Sequence, residues 1–359
     1  METADIADAR AGANSALGVV IIGRNEATHL HACLASVRAI RGVPGSVPTI
    51  YVDSGSSDGS PRLAAEAGVQ VIELATTKPT AALGRNAGWR ALGSELVLFL
   101  DGDTTLDPDF PRLAIEALGR DPQIVAVWGH RREIHTDRSI YNRVLDLDWV
   151  YAAGFTDYCG GDVLMRRSAL EAAGGYDAEL IAGEEPELCR RLRARGGKIL
   201  HVDAPMTGHD LALGRFRQYW RRAVRTGYAY AEVSRRYRHT PDPLWLKESR
   251  GNLVRGGFWI GTPILAAGAS IAARSPLPVL AWVALLGALA LRSAWKTRWK
   301  TRDRVALAAY GLHSHLQQIP VLWGQVRYAL ERVRGKKAAL IEYKRPAPPS
   351  GGSPGQMSG

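Results

Sequence analysis

A repeat in the first third of the chain limits the fold more than any other feature. Short apolar, β-branched runs recur, and each is closed by acidic or amide-bearing residues. Residues 17–22 end in Gly23-Arg24-Asn25-Glu26, residues 49–52 end in Asp53, and the apolar run 96–100 ends in Asp101-Gly102-Asp103. Between them lie helical patterns: Leu30, Cys33, Leu34 and Val37 at i, i+3, i+4, i+7 spacing, and residues 80–92 carrying Arg85 and Asn86. A further strand is expected at 69–74, and Pro61 suits the first turn of the helix between. Strands alternating with helices at this spacing imply parallel β-α units. Ligands of such sheets sit outside the carboxyl ends of the strands. Asn25, Glu26, Asp53, Asp101 and Asp103 are therefore expected on one edge. Two Asp residues around one Gly offer hard oxygen donors to a divalent cation that keeps waters and phosphate oxygens. The plain alternative is a solvated turn after a strand.

The alternation then loosens. A strand is expected at 125–128, followed by a basic and less regular stretch, 130–143. Residues 158–165 (Tyr-Cys-Gly-Gly-Asp-Val-Leu-Met) read as a glycine-hinged strand, and Ser168 as the N-cap of a short helix ending at Gly174-Gly175. Gly183-Glu184-Glu185-Pro186 opens a helix whose acidic first turn and basic later turns match its macrodipole. A strand at 198–202 precedes a long basic helix, 215–238, with interleaved aromatics.

Lys+Arg 46 against Asp+Glu 35 leaves a net charge of +11, which calls for a polyanionic partner or surface. Cys33, Cys159 and Cys189 lack metal-ligand spacing, so a zinc site or disulfide framework is not expected and a reducing compartment fits. The polar start of the chain has no apolar core of a signal peptide. Residues 256–273 and 277–291 are uncharged, joined by Arg274-Ser275-Pro276 and flanked outside by Arg250, Arg255, Arg292 and Lys296. Each run is short for a span of about 20 residues. The basic flanks place both outer ends in the cytoplasm, with the hairpin dipping across the membrane; a buried helical hairpin is the alternative. Residues 305–334 read as an amphipathic helix at the interface. The expected division is a tail 1–16, a main α/β domain 17–245, a membrane-associated helical region 246–345 (hairpin 256–295, interfacial helix 305–334) and a disordered tail 346–359.

Taken together, Asn25-Glu26, the run from Val52 through Asp53 and Asp58 to Ser60, Arg85-Asn86-Ala87-Gly88, Asp101-Gly102-Asp103, Gly160-Gly161-Asp162, Gly174-Gly175-Tyr176-Asp177 and Gly183-Glu184-Glu185 occur in one order. In that order and approximate spacing, residues 18 to about 205 resemble the family 2, GT-A type, inverting glycosyltransferases of the membrane-associated bacterial kind. The resemblance implies a Rossmann-like α/β fold, a mostly parallel sheet flanked by helices, with a C-terminal helical membrane segment. It implies transfer of a sugar from a nucleotide-sugar donor, UDP- or GDP-linked, to a glycan or lipid-linked acceptor in envelope polysaccharide or glycolipid synthesis. The catalytic domain would face the cytoplasm at the inner membrane. Asn25, Glu26, Asp53, Asp58, Arg85, Asp101, Gly161, Asp162 and Glu184 would bind the donor. Asp101 and Asp103 would hold Mg²⁺ or Mn²⁺ on its diphosphate. Glu185, the second acid of the pair where the family has Asp, would be the general base.

Alternatives stay open beside these roles. Arg85 serves equally as a surface helix arginine, His209 as a third metal ligand or a structural histidine, and Glu184-Glu185 as mere dipole partners. Gln218, Trp220 and Arg221 partly match a Gln-x-x-Arg-Trp acceptor or gating signature whose last position here is Arg222; the helix could also rest on anionic lipid headgroups. Transfer to a polyprenyl phosphate would dispense with the base. Nucleotidyl transfer lacks its glycine-rich basic loop after the first strand, and no nucleic-acid motif supports a nucleic-acid partner.

Overall fold

The computed structural model describes residues 15–335. The tail 346–359 and nearly all of 1–16 lie outside the described residues. In chain order the elements are β1 (Leu17–Gly23), α1 (Ala27–Arg38), β2 (Thr49–Asp53), α2 (Ser60–Glu66), β3 (Gln70–Glu73), α3 (Ala81–Ala91), β4 (Leu96–Asp101) and β5 (Thr104–Leu106). Then come α4 (Phe110–Gly119), β6 (Ile124–Glu133), α5 (Ile140–Asp146), a 3-10 turn (Leu147–Trp149), β7 (Gly154–Thr156), β8 (Val163–Arg166) and α6 (Arg167–Ala173). The last are α7 (Glu184–Ala194), β9 (Lys198–His209), α8 (Phe216–Tyr237), α9 (Leu246–Ala273), α10 (Leu277–Thr297), α11 (Arg304–Leu316) and α12 (Gln318–Val333).

The nine described strands form one sheet in the order β3-β2-β1-β4-β8-β6-β9-β5, with β7 on β9. β3, β2, β1 and β4 are parallel; β8 runs against β4 and β6, and β6 is parallel to β9. Chain order reverses between β1 and β4, the switch point where open α/β sheets take ligands. β1 and β4 are apolar on both faces because helices cover both, and Val19, Val20, Ile21, Val97, Leu98 and Phe99 are fully buried. On α3, Thr80 caps the first turn by accepting from the Leu83 N–H at 3.1 Å. Gly88 in the same helix lets it lie against β1, since a Cβ there would stand 2.3 Å from Val20 Cγ1. That close seat carries Arg85 under the strand ends.

Several expectations are corrected. The stretch 130–143 is not irregular throughout: β6 continues to Glu133 because β9 pairs with it along a bulged register. β9 likewise runs past 202 to His209, held there by β5 and β6. Only Val163–Arg166 of the expected strand 158–165 joins the sheet, and Ser168 lies inside α6, whose N-cap is Arg166. Residues 305–334 form two helices rather than one. The break at Gln317 has a direct cause: Pro320 has no N–H to donate back to Leu316.

α12 packs along α8 and α9, joining the C-terminal helices to the sheet domain. The α8–α12 crossing is glycine on glycine. A Cβ on Gly227 would meet the Val321 carbonyl oxygen at 2.0 Å, and one on Gly324 the Val224 carbonyl oxygen at 2.1 Å. By contrast α9 and α10 are long and apolar enough to cross a membrane, and their most apolar stretches are almost wholly uncovered. Ile264, Leu265, Ile271, Leu280 and Leu291 all stand exposed.

Candidate active site

At the switch point the chain ends of β1 and β4 are tied together. The Gly102 N–H donates to the Ile22 carbonyl at 2.8 Å, and Thr104 Oγ1 to the Asp101 carbonyl at 2.7 Å. Asn25 adopts a left-handed backbone (φ 58), which Asn tolerates better than most residues. Its side-chain oxygen accepts from the Ser57 N–H at 2.8 Å, stitching the β1–α1 turn to the β2–α2 loop. Above these ends lies a cleft of about 850 Å³, within the usual range for small-ligand sites. Asn25, Glu26, Asp101, Asp103, Glu185 and His209 line it.

Arg85 organises the carboxylates, and it is neither exposed nor turned to the cleft. Its side chain is 2 % exposed, with Nη2 3.0 Å from Asp101 Oδ1 and Nη1 3.0 Å from Glu184 Oε1 and 3.2 Å from Glu185 Oε1. A cation in this position offsets the repulsion among acids that burial would otherwise force to neutralise. Gly161 makes room for it, because a Cβ there would lie 2.3 Å from Arg85 Nη2. Arg85 is thus corrected from a diphosphate ligand to an internal counter-ion.

Glu184 and Glu185 begin α7, entered through Gly183 in the left-handed region (φ 88). Glu184 is buried against Arg85, whereas Glu185 keeps 19 % of its side chain exposed and lines the cleft. Burial and the neighbouring Glu184 push the Glu185 carboxyl up to about 7, with Arg85 pulling the other way. Across the cleft floor, Asp162 Oδ1 accepts from the Asp101 N–H at 3.0 Å and Oδ2 from Thr207 Oγ1 at 2.8 Å. Burial pushes this carboxyl up to about 6, and Arg131 restrains the rise. Arg131 also reaches Asp101 Oδ2 at 3.4 Å.

Asp103 Oδ2 and His209 Nε2 lie 3.1 Å apart, both side chains largely buried, because β5 and β9 pair Thr104 with His209. Among the described residues no group of three or more His, Cys, Asp or Glu gathers around one point. The expected three-residue metal set is therefore a pair, with Asp101 drawn to Arg85 and Arg131. A carboxylate beside an imidazole still fits a Mg²⁺ or Mn²⁺ that takes its other ligands from water and diphosphate.

Other expected ligands stand behind the cleft wall. Asp53 is 1 % exposed and accepts from Tyr51 Oη, the Gly55 and Ser56 N–H groups and Ser56 Oγ. Asp58 accepts from the Ala27 and Ser60 N–H groups, so it caps α1 from a neighbouring loop. Gly161, Asp162 and Glu184 do not line the cleft either. On α8, Gln218 lines it but spends its amide capping the helix, accepting from the Gly214 and Arg215 N–H groups at 3.1 Å each. Trp220 and Arg221 do not line the cleft, and Trp220 packs against Val224 and Tyr228. Arg222, Arg225, Ala229 and Tyr230 line it instead. Helical periodicity from Gln218 would have found Arg222, Arg225 and Ala229 at i+4, i+7 and i+11. Arg131 and Trp149 had no signal in sequence.

A mixed sheet with its cleft at the switch point of its parallel half, an acid pair at a helix start and acids at the strand end define a GT-A type transferase fold. The mannosyltransferase PcManGT from Pyrobaculum calidifontis, solved in complex with GDP-Man and Mn²⁺, shares this fold with a TM-score of 0.59 and 21% identity, over 84% of this chain and 88% of that one. Residues 18–174 match the description Glycosyl transferase family 2. The pre-mycofactocin glycosyltransferase of Mycobacterium tuberculosis is 27% identical over 210 residues, covering 54% of this chain and 42% of that protein. The succinoglycan biosynthesis protein ExoA of Rhizobium meliloti is 27% identical over 199 residues, covering 52% and 60%. The chain spans about half the length of these relatives.

Proposed function

We propose that this chain transfers a sugar from a UDP- or GDP-linked donor to an acceptor hydroxyl, with inversion, in envelope polysaccharide or glycolipid synthesis. The observation that carries the reading is Glu185, a carboxyl raised towards neutrality and held by Arg85 at the edge of the switch-point cleft. A base whose pKa lies near the working pH takes the acceptor proton most effectively. The nucleotide enters the lobe between Asn25, Ser54 and Thr80. Asp103 and His209, with Asp101 nearby, would hold a divalent cation, which supplies Lewis-acid stabilisation of the leaving diphosphate. α9 and α10 seat the domain on the cytoplasmic face of the inner membrane.

A second acceptor class has one observation in its favour. The cleft runs along Arg222 and Arg225 to Trp245, the residue at which α9 begins. A polyprenyl phosphate rising from the bilayer would meet this arginine-bearing end. The test is a nucleotide-sugar panel with Mn²⁺, scoring nucleoside diphosphate release by the membrane fraction. Activity is expected with one donor and lost in Asp103→Ala. No turnover with any donor, or turnover untouched by Asp103→Ala, would sink the reading. Glu185→Gln separates the acceptors, since an acceptor that is already an anion needs no base.

A further inference from the structure

We propose that a second cavity, beside the cleft, is a subsite for one pyranose ring of the acceptor; this rests on the glycosyltransferase reading. The cavity encloses about 440 Å³, within the size range of small-ligand sites. Its wall is largely aromatic, formed by Trp128, Trp149, Tyr151 and Tyr158, with Arg131, Thr156, Asp157 and Asp162 as polar members. Arg131, Trp149, Cys159 and Gly160 line both cavities. The Arg131 guanidinium lies 4.8 Å over the Trp149 ring and reaches Asp101 at 3.4 Å. The partition is therefore the stacked Arg131–Trp149 pair together with the Cys159-Gly160 segment, and a ring bound behind it is a close neighbour of the cleft carboxylates.

The wall is built as a fixed platform. Trp128 Nε1 donates to Thr156 Oγ1 at 3.2 Å, and Tyr151 meets the Trp128 ring edge-on at 5.2 Å. Trp128 is buried, whereas Tyr151 stands 47% exposed at the mouth. A pyranose has an apolar C–H face and a rim of hydroxyls. Aromatic faces accept the first, and the Arg131 guanidinium answers the second, the Thr156 hydroxyl being held between the Trp128 N–H and the Tyr158 carbonyl. A nucleobase would stack equally well, but the nucleotide lobe stands on β1 and β2, across β4 and β8 from this cavity on β6.

The test uses the full chain in detergent and follows tryptophan fluorescence during titration with methyl glucoside, methyl mannoside, methyl galactoside and N-acetylglucosamine, each with and without UDP or GDP plus Mn²⁺. One pyranoside is expected to change the signal saturably, without competition from the nucleotide. Tyr151→Ala should weaken it about tenfold, the scale of one lost aromatic contact. Trp128→Phe, which keeps a ring, should remove most of the signal and covers the case in which Tyr151→Ala does not fold. Competition by the nucleotide assigns the cavity to the donor and overturns the proposal, as does affinity unchanged in Tyr151→Ala or a signal unchanged in Trp128→Phe. Nucleotide binding with no pyranoside bound overturns it and leaves the glycosyltransferase reading standing. Loss of nucleotide binding as well would remove that reading.

Discussion

Replacing Arg85 by Met removes a positive charge that contacts Asp101, Glu184 and Glu185 together, at 3.0, 3.0 and 3.2 Å. At 3.2 Å and an effective dielectric of about 20, the bare attraction to Glu185 is about 5 kcal/mol. If relaxation leaves a third of it, about 1.7 kcal/mol, Glu185 rises by roughly one pH unit. The ascending limb of the pH–rate profile should then move from near 7 towards about 8. At neutral pH the ionised fraction of the base falls from about half to about a tenth, roughly a fivefold loss from titration alone. Breaking a buried ion cluster also costs about 3–5 kcal/mol of stability, so the melting temperature should drop by several degrees. The assay is nucleoside diphosphate release across pH, beside a thermal melt of the same preparation. Arg85→Lys should recover part of the limb but less of the stability, because an ammonium cannot fork to several carboxylates. A folded Arg85→Met enzyme with an unmoved limb and full rate would refute the role assigned to Arg85.

Three further outcomes follow from the same contacts. Glu185→Gln should lower kcat by about 10²–10⁴ and abolish the limb near 7 while leaving donor KM nearly unchanged; a surviving limb would exclude it as the base. Glu185 and Asp162 have folded pKa values raised to about 7 and about 6, above their ordinary 4.5 and 3.8, so their contribution to stability is complete below the ordinary carboxylate range and is lost as pH rises through 6 to 7. Melts of wild type minus Glu185→Gln across that window should show the loss, and a difference that grows more favourable with pH would contradict it. Gly227→Val should force α8 from α12 and destabilise by about 1–3 kcal/mol or more, read in a thermal melt, because its Cβ meets backbone that cannot rotate away.

Much of the candidate site is legible one segment at a time. Asp101-Gly102-Asp103 after an apolar run, Asn25 in a turn and an acid pair opening a helix each depend on neighbours within a few residues. His209 also follows an expected strand in the sequence, and β5–β9 pairing brings it to Asp103. Exposure is another matter. Asp53 and Asp58 carry the right chemistry at the right strand end, yet their oxygens are taken by their own loops. Cys159 and Cys189 look scattered, but their buried thiols meet at 3.4 Å.

The order of strands and helices through β4, the edge that carries the acids and the two apolar helices could be read from the chain, because periodicity and turn chemistry are local. The packing assigned the roles. Arg85 is separated by 99 residues from Glu184 and by 16 from Asp101, and no spacing rule joins them. The same holds for the face of α8 turned to the cleft and for the aromatic cavity behind Arg131. Those features come from burial, which brings distant segments together and makes an unpaired charge too costly to keep.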